Sequence, residues 1–281
     1  MPAKPFTALA CPLDGAPLQR QGGSLRCPDG HCFDLAAQGY VNLLPVQNKR
    51  SRDPGDSKEM VAARRRFLEA GHYKPIADAV AQAVLADAVP GRTLTCLDAG
   101  CGEGYYLRQL AAAGDALPLA LLGLDISKWA VQAAAKRDLH TAWVVGSNAG
   151  LPVLPATLDR VLCMFGFPVY TEFARVLRRG GELLQVDAGP DHLRELREVI
   201  YPTLKPERPA ARQMPPGFEP LGTDTLRFQI HVDGASPIAD LLAMTPHLYR
   251  ATAEGRARAA ALTALTMMVD VRLGRYRRLP D

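Results

Sequence analysis

One stretch of this 281-residue chain decides its fold: Thr93-Leu94-Thr95-Cys96-Leu97-Asp98-Ala99-Gly100-Cys101-Gly102-Glu103-Gly104. Its apolar first half is typical of a buried strand, and that strand ends in an acid. Three glycines then alternate with other residues, and the apolar segment that follows is compatible with a helix. Glycines let the backbone approach a ligand closely, and the free amides of a helix N-terminus face that ligand. The stretch therefore predicts a nucleotide-binding corner.

The spacing of the glycines distinguishes between ligands. A dinucleotide fingerprint reads G-x-G-x-x-G. This chain instead has Asp98-x-Gly100-x-Gly102-x-Gly104, which resembles motif I of S-adenosylmethionine-dependent methyltransferases. A second apolar run ends in Asp125, at a distance that suits a carboxylate binding both ribose hydroxyls. The alternative is an ordinary tight turn with Asp98 as a helix cap, but the acids on either side of the glycines favour a cofactor site.

Composition limits the class of protein. Hydrophobic residues make up 48% and charged residues 22% of the chain, as in soluble globular proteins. No apolar run approaches the roughly 20 residues that a membrane helix needs, and the N-terminus lacks the apolar core of a signal peptide. Three of the six cysteines lie in or beside apparent strands or the glycine turn, which favours a reduced cytoplasm over a disulfide framework. We therefore expect a cytoplasmic protein that does not span a membrane.

The N-terminal part of the chain predicts a small separate module that binds zinc. Cys-Pro turns at Cys11 and Cys27, the second followed by His31, can bring ligands together as in structural zinc sites. Asp14 stands where a second cysteine is expected, and a carboxylate can also bind zinc, so Cys11, Asp14, Cys27 and His31 are the predicted ligands. Cys32 is a conceivable substitute in another register. The alternative is a knuckle without metal, held by Leu13, Leu18 and Phe33.

A basic run follows this module. Positions 49–66 hold seven basic and three acidic residues, a surplus of +4 that equals the net charge of the whole chain. Cationic side chains can bind the phosphates of a nucleic acid such as RNA, and the candidates in this run are Lys49, Arg50, Arg52, Arg64, Arg65 and Arg66. Taken alone, such a run is more often a solvated face without a partner. Within the run, Ser57 is predicted to cap a helix that reaches about Ala70.

Short apolar runs alternate with helical segments through the rest of the chain, which predicts a doubly wound sheet with ligands at the carboxyl ends of its strands. Asn148 follows the third strand and is predicted to meet an adenine ring. Ser127 and Asp191 are predicted helix caps, the latter for the helix that carries His192. Two late strands are predicted to close the sheet, the last one antiparallel. The proline-rich interval 202–220 predicts a long loop.

Longer motifs stand in order along the chain: the Cys-Pro-x-x…Cys-Pro-x-x-His head, 39–47 (Gly-Tyr-Val-Asn-Leu-Leu-Pro-Val-Gln), 49–57 (Lys-Arg-Ser-Arg-Asp-Pro-Gly-Asp-Ser), 70–73 (Ala-Gly-His-Tyr), 97–106 around the glycines, 189–193 (Gly-Pro-x-His-Leu) and 244–246 (Met-Thr-Pro). Together they resemble the RlmA family, the 23S rRNA (guanine-N1)-methyltransferases. The resemblance implies an α/β fold: a class I (Rossmann-like) S-adenosylmethionine methyltransferase sheet with a small N-terminal zinc-knuckle-like module. The implied division is an RNA-recognition module at 1–40, a basic linker with helices at 41–90 and the methyltransferase domain at 91–281.

The resemblance also implies methyl transfer from S-adenosylmethionine to N1 of a guanine in a hairpin loop, helix 35, of 23S rRNA. It implies a homodimer whose cleft receives the hairpin, with the zinc module helping to hold the RNA. Cofactor contacts carried over from the family are Tyr73, Gly102, Glu103 and His192. The chain departs from the family pattern at Asp14 and in 164–168, where the proline comes one residue late.

The implied reaction needs a group that takes a proton, because guanine N1 is protonated at neutral pH. Asp187 and His192 are the candidate bases, and the alternative for Asp187 is a carboxylate that caps a turn. Phe165, Phe167 and Tyr170 are candidates to stack on a splayed-out base, or are plain core residues.

Two other functions are compatible with parts of the chain. A methyltransferase of a small molecule, such as a quinone precursor, shares the acid–glycine signature but leaves the N-terminal module and the basic run unexplained. A non-catalytic RNA-binding or ribosome-assembly factor explains those two features, but the intact glycine turn and Asp125 argue against it.

Overall fold

The N-terminal residues form a small antiparallel sheet. A computed structural model describes residues 4–48, 51, 53–204 and 214–280. The small sheet has three strands of three residues each: β1 (Gln19–Gln21), β2 (Ser24–Arg26) and β3 (Cys32–Asp34). Strands this short bury little by themselves, and Phe6, Leu9 and Leu18 pack into one core with residues of the main sheet. The N-terminal module therefore has its own sheet but shares a core with the rest of the chain.

An eight-stranded mixed sheet forms the main framework. Its strands are β4 (Tyr40–Asn42), β5 (Leu94–Ala99), β6 (Leu119–Asp125), β7 (Ala142–Val145), β8 (Leu158–Met164), β9 (Leu177–Ala188), β10 (Phe218–Asp233) and β11 (Ala264–Arg278). Their order is β10-β11-β9-β8-β5-β6-β7-β4; β4 to β9 run parallel, and β11 is antiparallel to both of its neighbours, β9 and β10. The order confirms the predicted class I sheet and its antiparallel last strand. The 1–40 boundary falls on the first residue of β4, which is an edge strand of this sheet.

The strand order reverses at β5, which pairs with β6 on one side and β8 on the other. In an open parallel sheet such a switch point leaves a crevice at the carboxyl ends of the strands, where ligands bind. Asp98 and the glycine turn lie at the carboxyl end of β5. The topology therefore places the predicted nucleotide corner at the switch point.

Helices cover the sheet. They are α1 (Lys58–Glu69), α2 (Lys74–Leu85), α3 (Tyr105–Ala113), α4 (Lys128–Ala135), α5 (Tyr170–Val176), α6 (Arg194–Ile200), α7 (Ala235–Ala243), α8 (His247–Arg250) and α9 (Ala253–Ala260). One core contains residues of α1 to α4 and of α6, α7 and α9; the other contains α5 and the N-terminal module. Because both faces are covered, every residue of β8 is buried. No helix in the described part of the chain combines the length and apolarity needed to cross a membrane.

Two of the three predicted helix caps are confirmed. The hydroxyls of Ser57 and Ser127 each accept a hydrogen bond of 3.3 Å from the third residue on, at the start of α1 and α4. The prediction for Asp191 is wrong, because α6 begins after Leu193, which has a φ of +51°. The Asp191 carboxylate instead accepts hydrogen bonds from Arg227 at 2.7 Å and Arg194 at 3.2 Å. Arg227 lies on β10, a contact too distant in the chain for local sequence to reveal.

Trp143 packs against both Gly123 of β6 and Gly104 of the glycine turn. A Cβ atom on Gly123 would lie 2.2 Å from Trp143 Cζ3, and one on Gly104 would lie 2.4 Å from Trp143 Cη2. The indole is buried, and its Nε1 donates to the carbonyl of Asp138 at 2.8 Å. Because the ring is held from its far side, neither glycine position has room for a side chain.

We therefore expect Gly123→Ala to lower the free energy of unfolding by about 1–3 kcal/mol, because the added methyl group forces the buried indole out of place. Gly222→Ala is the matched control, since a Cβ at Gly222 would have no neighbour within 4 Å. Urea denaturation followed by circular dichroism measures both variants. Equal stability of the two would contradict the packing described here.

Candidate functional site

Two acids meet the glycine turn at the ends of β5 and β6. Asp98 is fully buried, and neither carboxyl oxygen has a hydrogen-bond partner among the described residues. Burial, with a smaller effect of the charge of Asp125, raises the pKa of Asp98 to about 8. Asp125 accepts hydrogen bonds from the backbone amides of Gly102 at 2.9 Å and Ser127 at 2.8 Å. The structure thus brings together the acids and glycines that the sequence singles out.

Glu103 and Asn148 border the same turn. Oε2 of the buried Glu103 lies 2.8 Å from Arg108 Nη2, whereas its Oε1 has no partner in the described part of the chain. Asn148 donates to the carbonyl oxygens of Ala99 at 3.3 Å and Phe167 at 3.5 Å, and its buried Oδ1 is likewise unpartnered there. Asn148 therefore joins the end of β5 to the segment after β8 and leaves an acceptor available.

Tyr73, His192 and Phe165 form an aromatic group. The ring centroids of Phe165 and His192 are 5.7 Å apart, and those of Tyr73 and Phe165 are 6.2 Å apart. The Tyr73 hydroxyl lies 3.1 Å from His192 Nε2. The backbone amide of Asp270 donates to His192 Nδ1 at 3.3 Å. The neutral imidazole therefore carries its proton on Nε2 and donates it to Tyr73.

A narrow cavity of about 40 Å³ lies beside the glycine turn. Its lining is Arg64, Leu68, Tyr73, Gly100, Cys101, Gly102, Glu103, Tyr105, Tyr106, Met164, Phe165 and Met244. Ordinary ligand pockets have roughly 300 Å³ or more, so this cavity by itself holds only part of a nucleoside-sized ligand.

The residues at the turn fit S-adenosylmethionine. Buried acceptors on Asp98, Glu103 and Asn148 have no partner among the described residues, and buried polar atoms normally have one. S-adenosylmethionine carries an ammonium group and two ribose hydroxyls, which are the donors that such acceptors require. A Cβ atom on Gly100 would have no neighbour within 4 Å, so there is open space at the turn for a ligand.

The predicted RNA-binding residues fall into four groups. Lys49, Arg50 and Arg52 lie outside the described residues. Arg66 forms a two-point pair with Asp240 of α7, at 2.7 and 2.5 Å. Arg64 lines the cavity. Arg65 is half-exposed.

The structure separates Arg64 from the other arginines of the run, because Arg64 lines the cavity; its contact with RNA stays a prediction. On α1 it follows the buried Val61 by three residues and precedes the buried Leu68 by four. That helical spacing puts Arg64 on the buried side of α1. The spacing was the signal that could have assigned it to the cavity.

The two candidate bases differ in their surroundings. Burial lowers the pKa of His192 to about 4, so its ring is neutral. The lone pair on Nδ1 already accepts from the Asp270 amide and Nε2 faces Tyr73, so neither nitrogen is free to take a proton from guanine. Asp187 is half-buried and accepts hydrogen bonds from Gln185 Nε2 at 2.9 and 3.2 Å. Since Met164 is the register partner of Val186, Asp187 stands level with the segment that follows β8. Asp187 remains the predicted base.

The four predicted metal ligands meet in the N-terminal module. His31 Nδ1 lies 3.5 Å from Cys11 Sγ, 3.4 Å from Cys27 Sγ and 2.8 Å from Asp14 Oδ2, and all four ligand atoms lie within 4.8 Å of one another. Tetrahedral zinc with bonds of about 2.0–2.3 Å places its ligands roughly 3.3–3.8 Å apart. The two Cys–His distances match this spacing, whereas the 2.8 Å contact between Asp14 and His31 is shorter and would lengthen when zinc binds. Cys32 is exposed and does not belong to the cluster.

A backbone contact prepares Asp14 for this site. The amide of Ala16 donates to Asp14 Oδ1 at 2.8 Å and is the main reason why the pKa of Asp14 is lowered. The carboxylate is thereby held in its ionised form with Oδ2 towards His31, as an outer hydrogen bond orients a metal ligand. Leu13, a member of the apolar set predicted for a knuckle without metal, is 51% exposed and does not hold the module together.

The fold and the acid–glycine corner define a class I S-adenosylmethionine-dependent methyltransferase. A family model described as RlmA, N-terminal, a zinc ribbon, matches residues 9–52, and one described as a methyltransferase domain matches residues 96–181. The chain belongs to the RlmA family of 23S rRNA (guanine-N1)-methyltransferases, as its relatives show.

Three relatives carry this assignment. A protein of Micromonospora griseorubida, whose name assigns it to the 23S rRNA (guanine-N(1)-)-methyltransferases, is 38% identical over 96% of this chain and 97% of its own length. The 23S rRNA (guanine(748)-N(1))-methyltransferase of Streptomyces fradiae is 36% identical over 80% of each chain. YxjB of Bacillus subtilis, also named for guanine-N(1) methylation of 23S rRNA, is 36% identical over 70% of each chain.

We expect the purified chain to hold one zinc ion, and Cys27→Ser and Asp14→Ala each to lose it, because four ligands close a structural site. Cys32→Ser is the matched control and should keep the metal. Metal analysis by mass spectrometry after dialysis gives the stoichiometry. Replacement by cobalt(II) should add the absorption of a tetrahedral thiolate site.

A wild-type chain without metal would contradict this expectation. Equal zinc content in Cys27→Ser and in the Cys32→Ser control would contradict it as well.

Proposed function

We propose that this protein transfers a methyl group from S-adenosylmethionine to N1 of a guanine in 23S rRNA, in the hairpin loop of helix 35. The observation that carries the proposal is the buried, unpartnered Asp98 beside a glycine turn tied to Asp125, in a chain with an RlmA zinc ribbon. The corner of acids and glycines suits a nucleoside with an amino-acid tail. The zinc ribbon suits a structured RNA rather than a small molecule.

The residues of the turn would hold the donor. Asp125 is placed for the ribose hydroxyls, because a carboxylate with two amide contacts still has lone pairs to offer. Asp98 is placed for the ammonium group, whose charge would allow this buried acid to ionise. When bound, S-adenosylmethionine supplies a methyl group on a sulfonium that leaves by in-line displacement. Alignment of the two reactants then contributes about 7–11 kcal/mol to lowering the barrier.

The acceptor base would enter beside the segment that follows β8. Phe167 is 90% exposed and its carbonyl is held by Asn148. Phe165 has a φ of +52°, a conformation rare for a bulky residue and often kept at functional sites. Exposed aromatic rings stack on bases splayed out of RNA loops. Tyr170 is half-buried and donates to Gln185 at 3.1 Å, so it supports Asp187 rather than stacking.

Asp187 would take the proton from guanine N1. Its carboxylate is oriented by Gln185, which in turn accepts from Tyr170. A base positioned in this way accelerates proton transfer typically about 10²–10⁴-fold. His192 instead positions the Tyr73 hydroxyl at the cavity wall.

The zinc ribbon and the basic run would hold the RNA outside the donor site. Neutralised phosphates release counterions, so affinity should fall steeply with salt. The first residues of the run fall within the part of the chain that the zinc-ribbon model matches, which supports a shared role in RNA binding. We further propose that two chains form a homodimer that receives the hairpin, and that the enzyme works in the cytoplasm, where ribosomal RNA is available.

We expect the purified chain to methylate protein-free large-subunit RNA, with a reverse-transcription stop at one guanine of the helix 35 loop, because a methyl on N1 blocks base pairing. The control is the same RNA with that guanine replaced by adenine. Tritium transfer from the donor gives the stoichiometry. Transfer to small molecules but not to this RNA would contradict the proposed function.

We expect Asp187→Asn to slow single-turnover methyl transfer about 10²–10⁴-fold, because the amide cannot take the proton, with donor affinity unchanged. Asp191→Asn is the control, since that carboxylate is held by arginines away from the turn, and it should keep the wild-type rate. A wild-type rate in Asp187→Asn would show that the proton leaves by another route.

A further inference from the structure

The side chain of Arg64 lies against the glycine turn. A Cβ atom on Gly102 would be 3.6 Å from Arg64 Cδ, and Arg64 shares the cavity wall with Tyr73 and Tyr106. Burial raises the pKa of Asp125, and the positive charge of Arg64 acts against that rise. The guanidinium is therefore close enough to the ribose-binding acid to act on it electrostatically.

Only part of the Arg64 guanidinium is satisfied. Its Nη2 donates to Asp56 Oδ2 at 2.6 Å and to the carbonyl oxygen of Met244 at 3.3 Å. Its Nε is buried without a hydrogen-bond partner among the described residues. A buried donor of a charged group that lacks an acceptor is costly. The arrangement leaves one edge of a cation for an acceptor that is not part of the described chain.

Charge identifies the missing acceptor. Arg64 is the only cationic residue among those that line the cavity in the described part of the chain. Glu103, the acid in that lining, gives Oε2 to Arg108, and its Oε1 makes no hydrogen bond with Arg64. The ligand that fits the corner has an amino-acid tail, which carries a carboxylate besides its ammonium group. An arginine matches the planar, two-oxygen geometry of such a group.

We propose that Arg64 binds the carboxylate of the methionine part of the donor through its Nε edge. Arg64 Nη2 would keep its hydrogen bond to Asp56, so the donor carboxylate would bind beside Asp56 without displacing it. Arg64 is then a donor-binding residue and not a phosphate contact. This assignment rests on the proposed use of S-adenosylmethionine and not on the identity of the RNA.

Arg64 also ties α1 to the end of α7, because its Nη2 donates to the carbonyl oxygen of Met244, the residue that ends α7. The donor carboxylate would therefore bind at a point where these two helices meet.

The test compares S-adenosylmethionine with its decarboxylated form, which lacks only the carboxylate, by titration calorimetry without RNA. Arg64→Gln should weaken binding of S-adenosylmethionine about 10- to 100-fold and leave the decarboxylated form within about twofold of wild type. Unchanged binding of the second ligand also shows that the variant is folded. Arg65→Gln is the matched control on the same helix and should alter neither affinity.

Other outcomes would overturn the proposal. Equal weakening of both ligands by Arg64→Gln, repeated in the charge-preserving Arg64→Lys, would make the residue a structural support. Unchanged donor affinity together with an RNA-binding salt slope reduced by about one would make it a phosphate contact. Calorimetry measures the role of Arg64 in donor binding without any RNA. If the chain binds the donor but fails to methylate 23S rRNA, that failure would reject only the proposed substrate.

Discussion

The hydrogen bond from the amide of Gly102 to the carboxylate of Asp125 is the contact on which the site depends. It ties the turn after β5 to the end of β6, so the two strand ends form one corner. Trp143 supports this corner from behind and forces Gly104 and Gly123 to be glycines. What remains is a surface with a buried acid and a free backbone edge, and that is the surface a nucleoside ligand requires.

Much of the fold could be predicted from the sequence, because its signals are local. Ser57 and Ser127 cap helices where the sequence places them, and the strands of the central sheet are apolar runs that follow turn residues. Asp191 shows the limit of this reasoning. Its partner Arg227 is 36 residues away on β10, and no local pattern indicates such a pair. Close packing likewise merges the N-terminal module with the main core, although its composition resembles that of a separate unit.

The candidate site could likewise be predicted from the sequence only in part. Acids, glycines and the metal-ligand set stand together because their spacing is dictated by one turn or one module. The arginines of α1 do not share one role, since a helix turns adjacent residues to different sides. Arg64 faces the cavity, Arg66 pairs with Asp240, and Arg65 is left half-exposed. α1 thus carries Arg64 at the cavity and two further arginines of the basic run, so under the proposed roles one helix would serve both donor binding and RNA binding.

The most direct test is a crystal structure of the protein with S-adenosylhomocysteine, the product left by methyl transfer. We expect the ribose beside Asp125, the amino-acid part passing Gly102, and the adenine near Asn148. A product bound elsewhere, or a corner that stays closed to it at saturating concentration, would contradict the assignment of this corner as the donor site.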